Sequence, residues 1–128
     1  MNLHDYFEKT SGFGVLATAD KKGTVNTTVY ARPHMTGDGE AAFIMSGRRC
    51  YRNVSENPSA AYLFHARGEN TEKKYEGVRL TLTKVREDDD PALVEELRRR
   101  SRTNPGEGGR VVYFRVDEVR PLIGDTAL

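Results

Sequence analysis

A cluster of arginines follows a short apolar run in the first half of the chain. Residues 43–58 read FIMSGRRCYRNVSENP, and the apolar run gives way to helical spacing at Ser46. The pattern predicts a strand that ends at Met45, a tight turn, and a short helix that stops before Pro58. The first N–H groups of a helix lack partners within it, and the peptide dipoles add positive charge there. The turn is therefore suited to binding a phosphate.

The predicted helix would present two different faces. At about 100° per residue, Arg49, Arg52 and Asn53 share one face, which would place two guanidinium groups near the helix start. Cys50 and Val54 share another face, which we expect to point toward the core. The alternative is an ordinary surface helix whose arginines are merely solvated, because no unique sequence marks an anion site at a helix start.

A strand with one polar face is expected upstream of this motif, at residues 24–31. One face carries Thr24, Asn26, Thr28 and Tyr30, and the other carries Val25, Thr27, Val29 and Ala31. We expect one face of this strand to be buried. The row of amide, hydroxyl and phenol groups is either a solvated sheet surface or one wall of a polar ligand site.

Several other elements are needed to position these residues. Strands are expected at residues 13–18, 41–45, 59–66 and 78–83, and a closing strand at 110–116 continues to 123 with a kink near Pro121. Gly14 in the first strand marks a bulge, a close backbone approach or only a local weakness. Helices are expected at residues 3–9 and from an N-cap at Asp90 through arginines 98–100 to a stop at residues 104–106. The polar residues 67–76 are expected to form a hairpin tip.

These elements add up to a mainly β fold with short peripheral helices. Six strands joined mostly by short turns predict an antiparallel small barrel or a highly curved sheet with helices at its ends. The 128 residues fit one domain, 1–128, and no repeat or linker divides them.

The composition excludes several classes of function. A net charge of +1 does not indicate nucleic-acid binding. The arginines at 98–102 are explained by the dipole of the helix that starts at Asp90, because positive side chains are favourable near a helix C-terminus. The three histidines are widely spaced, so no metal site is expected. Cys50, which is expected to face the core, has no histidine near it in sequence, which argues against a nucleophile. No apolar run is long enough to span a bilayer and no leader is evident, so we expect a cytoplasmic protein without a membrane partner.

The order of these motifs resembles the pyridoxamine 5′-phosphate oxidase-like family of FMN-binding split barrels, and in particular its small FMN-binding members. The resemblance covers most of the chain, and residues 14–18, 25–30 and 43–58 carry it. It implies a six-stranded antiparallel split barrel with Greek-key-like strand order, which forms a homodimer with FMN at the subunit interface. The cofactor-binding residues that it implies are Asn26, Thr27, Thr28, Val29, Met45, Ser46, Arg48, Arg49, Arg52 and Asn53.

The resemblance also implies a function and its alternatives. The leading hypothesis is a flavoprotein oxidoreductase that transfers electrons or hydride through FMN, with NAD(P)H or another small molecule as the donor. The alternatives are a protein that only binds or senses flavin, haem or a deazaflavin, and a nucleic-acid module that uses the arginines at 98–102. Cys50 stands where many relatives carry Lys or Arg, so phosphate binding would depend on Arg49, Arg52 and Arg48. The chain lacks the longer C-terminal substrate-binding region, so the pyridoxamine phosphate oxidase reaction is not expected.

Overall fold

One antiparallel sheet of seven strands, with three helices around it, accounts for most of the described chain. The computed structural model describes residues 1–67, 75–101 and 108–128. The elements are α1 (Leu3–Lys9), β1 (Gly12–Ala19), β2 (Val25–Tyr30), β3 (His34–Met35), β4 (Glu40–Met45), α2 (Arg49–Glu56), β5 (Ser59–Ala66), β6 (Gly77–Asp88), α3 (Pro91–Ser101) and β7 (Arg110–Pro121).

The strand order makes the sheet curl into a split barrel. The order is β2-β1-β5-β6-β7-β4-β3, and every pair of neighbours is antiparallel. The two edge strands, β2 and β3, are separated by only three residues, so the edges must lie close together. The predicted mainly β split barrel is confirmed. The six expected strands are present, and the two-residue β3 is an addition that pairs with the start of β4.

Aromatic side chains fill the inside of the barrel. Tyr62 and Phe64 alternate with outward residues on β5, and they pack against Phe7 of α1 and Phe43 of β4. Phe43 also contacts Phe114 of β7 at a ring-centroid distance of 5.8 Å. Edge-on aromatic pairs of this kind contribute about 0.5–1.5 kcal/mol each beyond their burial. They join four separate elements into one core.

The region around α3 differs in part from the expectation. Asp90 is the N-cap as predicted, because its Oδ1 accepts a hydrogen bond from the Ala92 amide at 3.0 Å. Strand β6 is longer than predicted and includes Glu87 and Asp88, which pair with β7. Strand β7 ends at Pro121, so the expected continuation to residue 123 is wrong, and the register shifts against β6 lie earlier in the strand. The expected helix stop at 104–106 and most of the polar tip at 67–76 lie outside the described residues.

The apolar face of β2 is not buried, contrary to the expectation for residues 24–31. Val25 and Val29 are 75% and 71% exposed. They lie on the outer face of the sheet, whereas the opposite face of β2, with Asn26 and Thr28, contacts α2. No described residue covers Val25 or Val29, and Asn26 and Tyr30 of the polar face are the more protected residues.

Gly14 leaves room for the most buried aromatic hydroxyl of the core. A Cβ on Gly14 would lie 1.9 Å from Tyr62 Oη. Tyr62 is 1% exposed, and its Oη donates to the Tyr30 carbonyl at 3.1 Å. Strand β1 has an uninterrupted register on both sides, so Gly14 marks a close approach and not a bulge.

We expect Gly14→Ala to lower the free energy of unfolding by about 1–3 kcal/mol, because the buried Tyr62 side chain has no space to retreat. Chemical denaturation followed by circular dichroism measures this change. Gly37→Ala is the control, since a Cβ there meets no atom within 4 Å. Equal losses for the two glycine variants would contradict the explanation.

Candidate functional site

Helix α2 is held on the barrel by one buried polar contact. Asn53 is 6% exposed, and its Nδ2 donates to Thr18 Oγ1 of β1 at 3.0 Å. Asn53 was predicted to share a face with Arg49 and Arg52, and all three line the groove described below, although Asn53 is also buried against β1. Its position is about 40° from Arg49 and about 60° from Cys50 around the helix, and the hydroxyl of β1 draws it inward. Cys50 and Val54 face the core as predicted, at 3% and 2% exposure.

Three polar side chains join α2 to the polar face of β2. The Cys50 thiol donates to Thr28 Oγ1 at 3.2 Å, and Asn26 Nδ2 donates to the same oxygen at 3.2 Å. Asn26 Nδ2 also lies 3.7 Å from Cys50 Sγ. The row of polar residues on β2 is therefore not simply a solvated surface, since two of its members contact α2. Cys50 fills the space between the two elements.

The far end of α2 is tied to the β1–β2 hairpin. The amide of Lys21 donates to Glu56 Oε2 at 3.2 Å, and Asn57 Nδ2 donates to the Asp20 carbonyl at 3.3 Å. Asp20 Oδ1 in turn accepts from the amides of Lys22 and Thr24, each at 2.9 Å. These bonds order the turn that leads into β2.

A groove of about 390 Å³ runs between α2 and the start of β2. It is lined by Asp20, Thr24, Val25, Asn26, Arg49, Arg52, Asn53 and Glu56. Four of the predicted site residues thus meet in one place. The two carboxylates were not predicted, although Glu56 follows Arg49 and Arg52 at the helical spacing i+7 and i+4, and that spacing would have revealed it.

The start of α2 has the open amides that the sequence predicted. Arg48 is the N-cap, with extended backbone and no side-chain capping bond. Its amide donates to the Ser46 carbonyl at 2.7 Å, which forms the tight turn. Gly47, Arg48 and Arg49 are exposed. The next amides along the first turn have no partner within the helix, so they remain available to an anion.

The other six predicted site residues do not line this groove. Thr28 contacts Asn26 and Cys50 beside it, and Ser46 and Arg48 lie at the turn before α2. Met45 is fully buried in the barrel core. Thr27 and Val29 occupy the outer face of β2, opposite Ala17 and Val15 of β1. Because side chains alternate along a strand, those of Thr27 and Val29 point away from the face that carries Asn26 and Thr28. Only the backbone of Thr27 and Val29 is accessible from the polar face.

Tyr30 also lies in this region, although it was not among the predicted site residues. Burial, with a contribution from the nearby Cys50, raises the pKa of its phenol to about 12, and the Arg48 guanidinium partly offsets the rise. The phenol is therefore uncharged at neutral pH. The strand pattern placed Tyr30 on the polar face of β2, which was the signal for including it.

Opposite the groove, α2 is braced by an exposed polar cluster. Tyr51 Oη donates to Glu87 Oε1 at 2.8 Å and accepts from Arg110, whose guanidinium lies 4.3 Å from the ring centroid. The pKa of Glu87 is lowered, first by a hydrogen bond from Lys84 and then by a hydrogen bond from Tyr51 and the positive charge of Arg110. The cluster ties α2 to β6 and β7.

The sequence matches one known protein family over most of its length. The sequence profile described as pyridoxamine 5′-phosphate oxidase matches residues 3–121, which is most of the chain. The chain belongs to this family. No curated protein sequence matches it. Among the described residues, no helix has both the length and the apolar character that crossing a membrane requires.

Solved structures share the fold of this family member at low sequence identity. An FMN-binding protein from Syntrophomonas wolfei aligns with a TM-score of 0.75 and 15% identity, over 96% of this chain and 85% of that one. HupZ of Group A Streptococcus aligns with a TM-score of 0.72 and 16% identity, over 98% and 94% of the two chains. An F420 reductase aligns with a TM-score of 0.64 and 22% identity, over 92% of each chain. These likenesses establish the split-barrel fold.

Proposed function

We propose that the chain is a homodimeric flavoprotein that binds FMN between α2 and β2 and transfers electrons or hydride through it. The observation that carries the proposal is the groove in which Arg49, Arg52 and Asn26 meet beside the open start of α2. Membership of the pyridoxamine 5′-phosphate oxidase family supports a flavin as the ligand. The FMN-binding protein from Syntrophomonas wolfei supports FMN in particular.

The charges along α2 favour a phosphate at its start. Arg48 and Arg49 lie at the first positions of the helix, where the dipole is also positive. Glu56 lies at the other end, about 10 Å further along the axis at 1.5 Å per residue. Ser46, Arg48, Arg49 and Arg52 would hold the phosphate, and the carboxylate of Glu56 would not oppose it.

The hydrogen bonds on β2 favour a flavin ring edge. Thr28 Oγ1 already accepts from Cys50 and Asn26, so its own O–H is left to donate to a ring carbonyl. The Asn26 amide uses its nitrogen in these bonds, which leaves its oxygen to accept from the ring N3–H. Bound FMN would supply the redox chemistry, while these residues orient it.

The exposed apolar surface on the outside of the sheet favours a homodimer. Phe13, Val25, Val29 and Leu63 are 50%, 75%, 71% and 36% exposed. The registers place them on one face, since Val15 of β1 stands between Val29 of β2 and Leu63 of β5. Contiguous exposed apolar groups of this kind mark interaction surfaces. A second copy would cover them and bring its own residues to the edge of the groove at Val25.

In a second candidate function, the same groove binds a different ligand, or it binds flavin without catalysing a reaction. The structural likeness to an F420 reductase favours a deazaflavin as that ligand. The visible spectrum of the purified protein separates the ligands, because a flavin, a deazaflavin and haem absorb differently. A protein that is colourless and fails to take up added FMN would eliminate the flavoprotein proposal.

We expect Arg49→Ala combined with Arg52→Ala to weaken FMN binding by roughly 100-fold or more, since charged hydrogen bonds contribute about 1.5–3 kcal/mol each. Riboflavin, which lacks the phosphate, should bind both proteins almost equally. Flavin fluorescence quenching measures both affinities. The matched control is Arg67→Ala with Arg99→Ala, two exposed arginines outside the groove. Equal losses for the two ligands would show that the arginines do not contact the phosphate.

We expect NADH or NADPH to bleach the FMN-loaded protein under anaerobic conditions faster than it bleaches free FMN, because the protein would orient the ring toward the donor. Stopped-flow absorbance at the flavin band measures the rate. Bleaching no faster than that of free FMN with either donor would favour the binding or sensing role.

We expect Val29→Lys to shift the protein from dimer to monomer, because a charge on the apolar outer face would have to be desolvated at the interface. Sedimentation-velocity ultracentrifugation reports the mass. Ile123→Lys is the control, since Ile123 is 67% exposed but lies beyond β7 and outside this face. A wild-type protein that sediments as a monomer at all concentrations would refute the dimer.

A further inference from the structure

A second cavity lies on the opposite side of β4 from the barrel core. Ala41, Phe43 and Met45 of β4 face the barrel, whereas Ala42 and Ile44 face a separate apolar cluster beneath α3. The cavity, of about 260 Å³, opens at the edge of that cluster between α1, the β2–β3 connection and α3. None of the residues assigned to the flavin groove lines it.

One side of this cavity is apolar. Phe7 of α1, Ala42 of β4, Leu97 of α3 and Tyr113 of β7 are all buried and line it, and Leu93 adds to one wall. The volume is close to the lower limit of about 300 Å³ for small-molecule sites. The cavity therefore suits a compact molecule with an apolar body.

His34 gives the cavity an unmet hydrogen-bonding group. It lines the cavity, and its Nε2 is buried without a hydrogen-bond partner among the described residues. A buried polar atom without a partner costs about 1–3 kcal/mol. Burial is the main cause that lowers the pKa of His34. A hydrogen bond with the Leu97 backbone opposes this effect, as does the charge of Glu8, while Arg100 and Arg32 lower the pKa further. The imidazole is thus neutral at pH 7 and needs a hydroxyl, amide or water partner.

The charged groups around the cavity leave an excess of positive charge. Arg32, Arg100 and Glu8 line it, so two positive charges and one negative charge leave one positive charge when the histidines His4 and His34 are neutral. Arg32 donates one hydrogen bond to the Thr10 carbonyl, and Arg100 pairs with Glu96 at the surface. Each guanidinium has five N–H donors, so both retain donors for a ligand. The exposed Arg100–Glu96 pair is weak enough to be exchanged for a ligand carboxylate.

We propose that this cavity binds a small organic acid with one carboxylate, a compact apolar body and one hydroxyl group. The carboxylate pairs with Arg100 and Arg32 at the mouth. The body lies against Leu97 and Tyr113, and the hydroxyl hydrogen-bonds to His34. The proposal does not depend on flavin binding, because the two sites share no lining residue.

Titration of the full chain with 4-hydroxybenzoate and with 2-hydroxyisovalerate, followed by amide NMR, tests the proposal. At least one acid should give saturable shifts at Ala42, Leu97 and Tyr113, and none at Asn26 or Arg49 of the groove. The neutral analogue 4-hydroxybenzyl alcohol should bind roughly tenfold more weakly than the aromatic acid, because it lacks the charged hydrogen bonds. The absence of saturable shifts with both acids would overturn the proposal.

Two variants on α3 locate the carboxylate. Arg100→Gln should weaken the acid roughly tenfold or more, and Arg99→Gln, an exposed neighbour that does not line the cavity, should leave it unchanged. In His34→Phe, 4-hydroxybenzoate should no longer bind more tightly than benzoate, because its hydroxyl group has lost its hydrogen-bond partner. FMN affinity should be unchanged in Arg100→Gln. A failure of the organic-acid proposal can therefore be distinguished from a failure of the flavin proposal. Equal binding by wild type and Arg100→Gln would refute the assigned site.

Discussion

The hydrogen bond between Asn53 and Thr18 is the contact on which the placement of the arginines depends. It lies where α2 crosses β1, and both side chains are almost completely buried. Loss of one partner would leave the other unsatisfied at a cost of about 1–3 kcal/mol, whereas exposed contacts such as that of Lys21 with Glu56 contribute less. The bond therefore fixes the rotation of the helix, and with it the direction in which Arg49 and Arg52 point.

The barrel core lies on the same face of β1 as this contact, because Gly14, Leu16 and Thr18 are alternate residues of the strand. Gly14 lacks a side chain where the Tyr62 hydroxyl passes, and that hydroxyl reaches the Tyr30 carbonyl at the end of β2. Tyr30 in turn packs against Phe43 at a ring-centroid distance of 6.0 Å. The last residue of the polar strand is thus held by the same aromatic cluster that carries β4 into α2. The two walls of the groove are positioned by one core.

Strand β4 divides the molecule into two regions with different chemistry. Its inward residues belong to the barrel core, and its end leads directly into the cationic turn at α2. Its outward residues meet α3 and Tyr113, where Arg86 stacks over the ring at 3.8 Å from its centroid. Phe7 of α1 is common to both regions, because it packs in the barrel core and also lines the second cavity. The groove and the second cavity have no lining residue in common.

Local chemistry determined the parts of this protein that the sequence predicted. Apolar periodicity located all six principal strands, Asp90 and Pro91 located the start of α3, and the Ser46–Asn57 pattern located α2 with its cationic start. Only the tertiary structure decided which faces are covered. Asn53 turned inward because a hydroxyl of β1 was there to receive it, and Val25 and Val29 stayed exposed because α2 packs on the opposite face of β2. Asp20 in the groove and the His34 cavity likewise arose from elements far apart in sequence, whose meeting depends on strand order and not on local spacing.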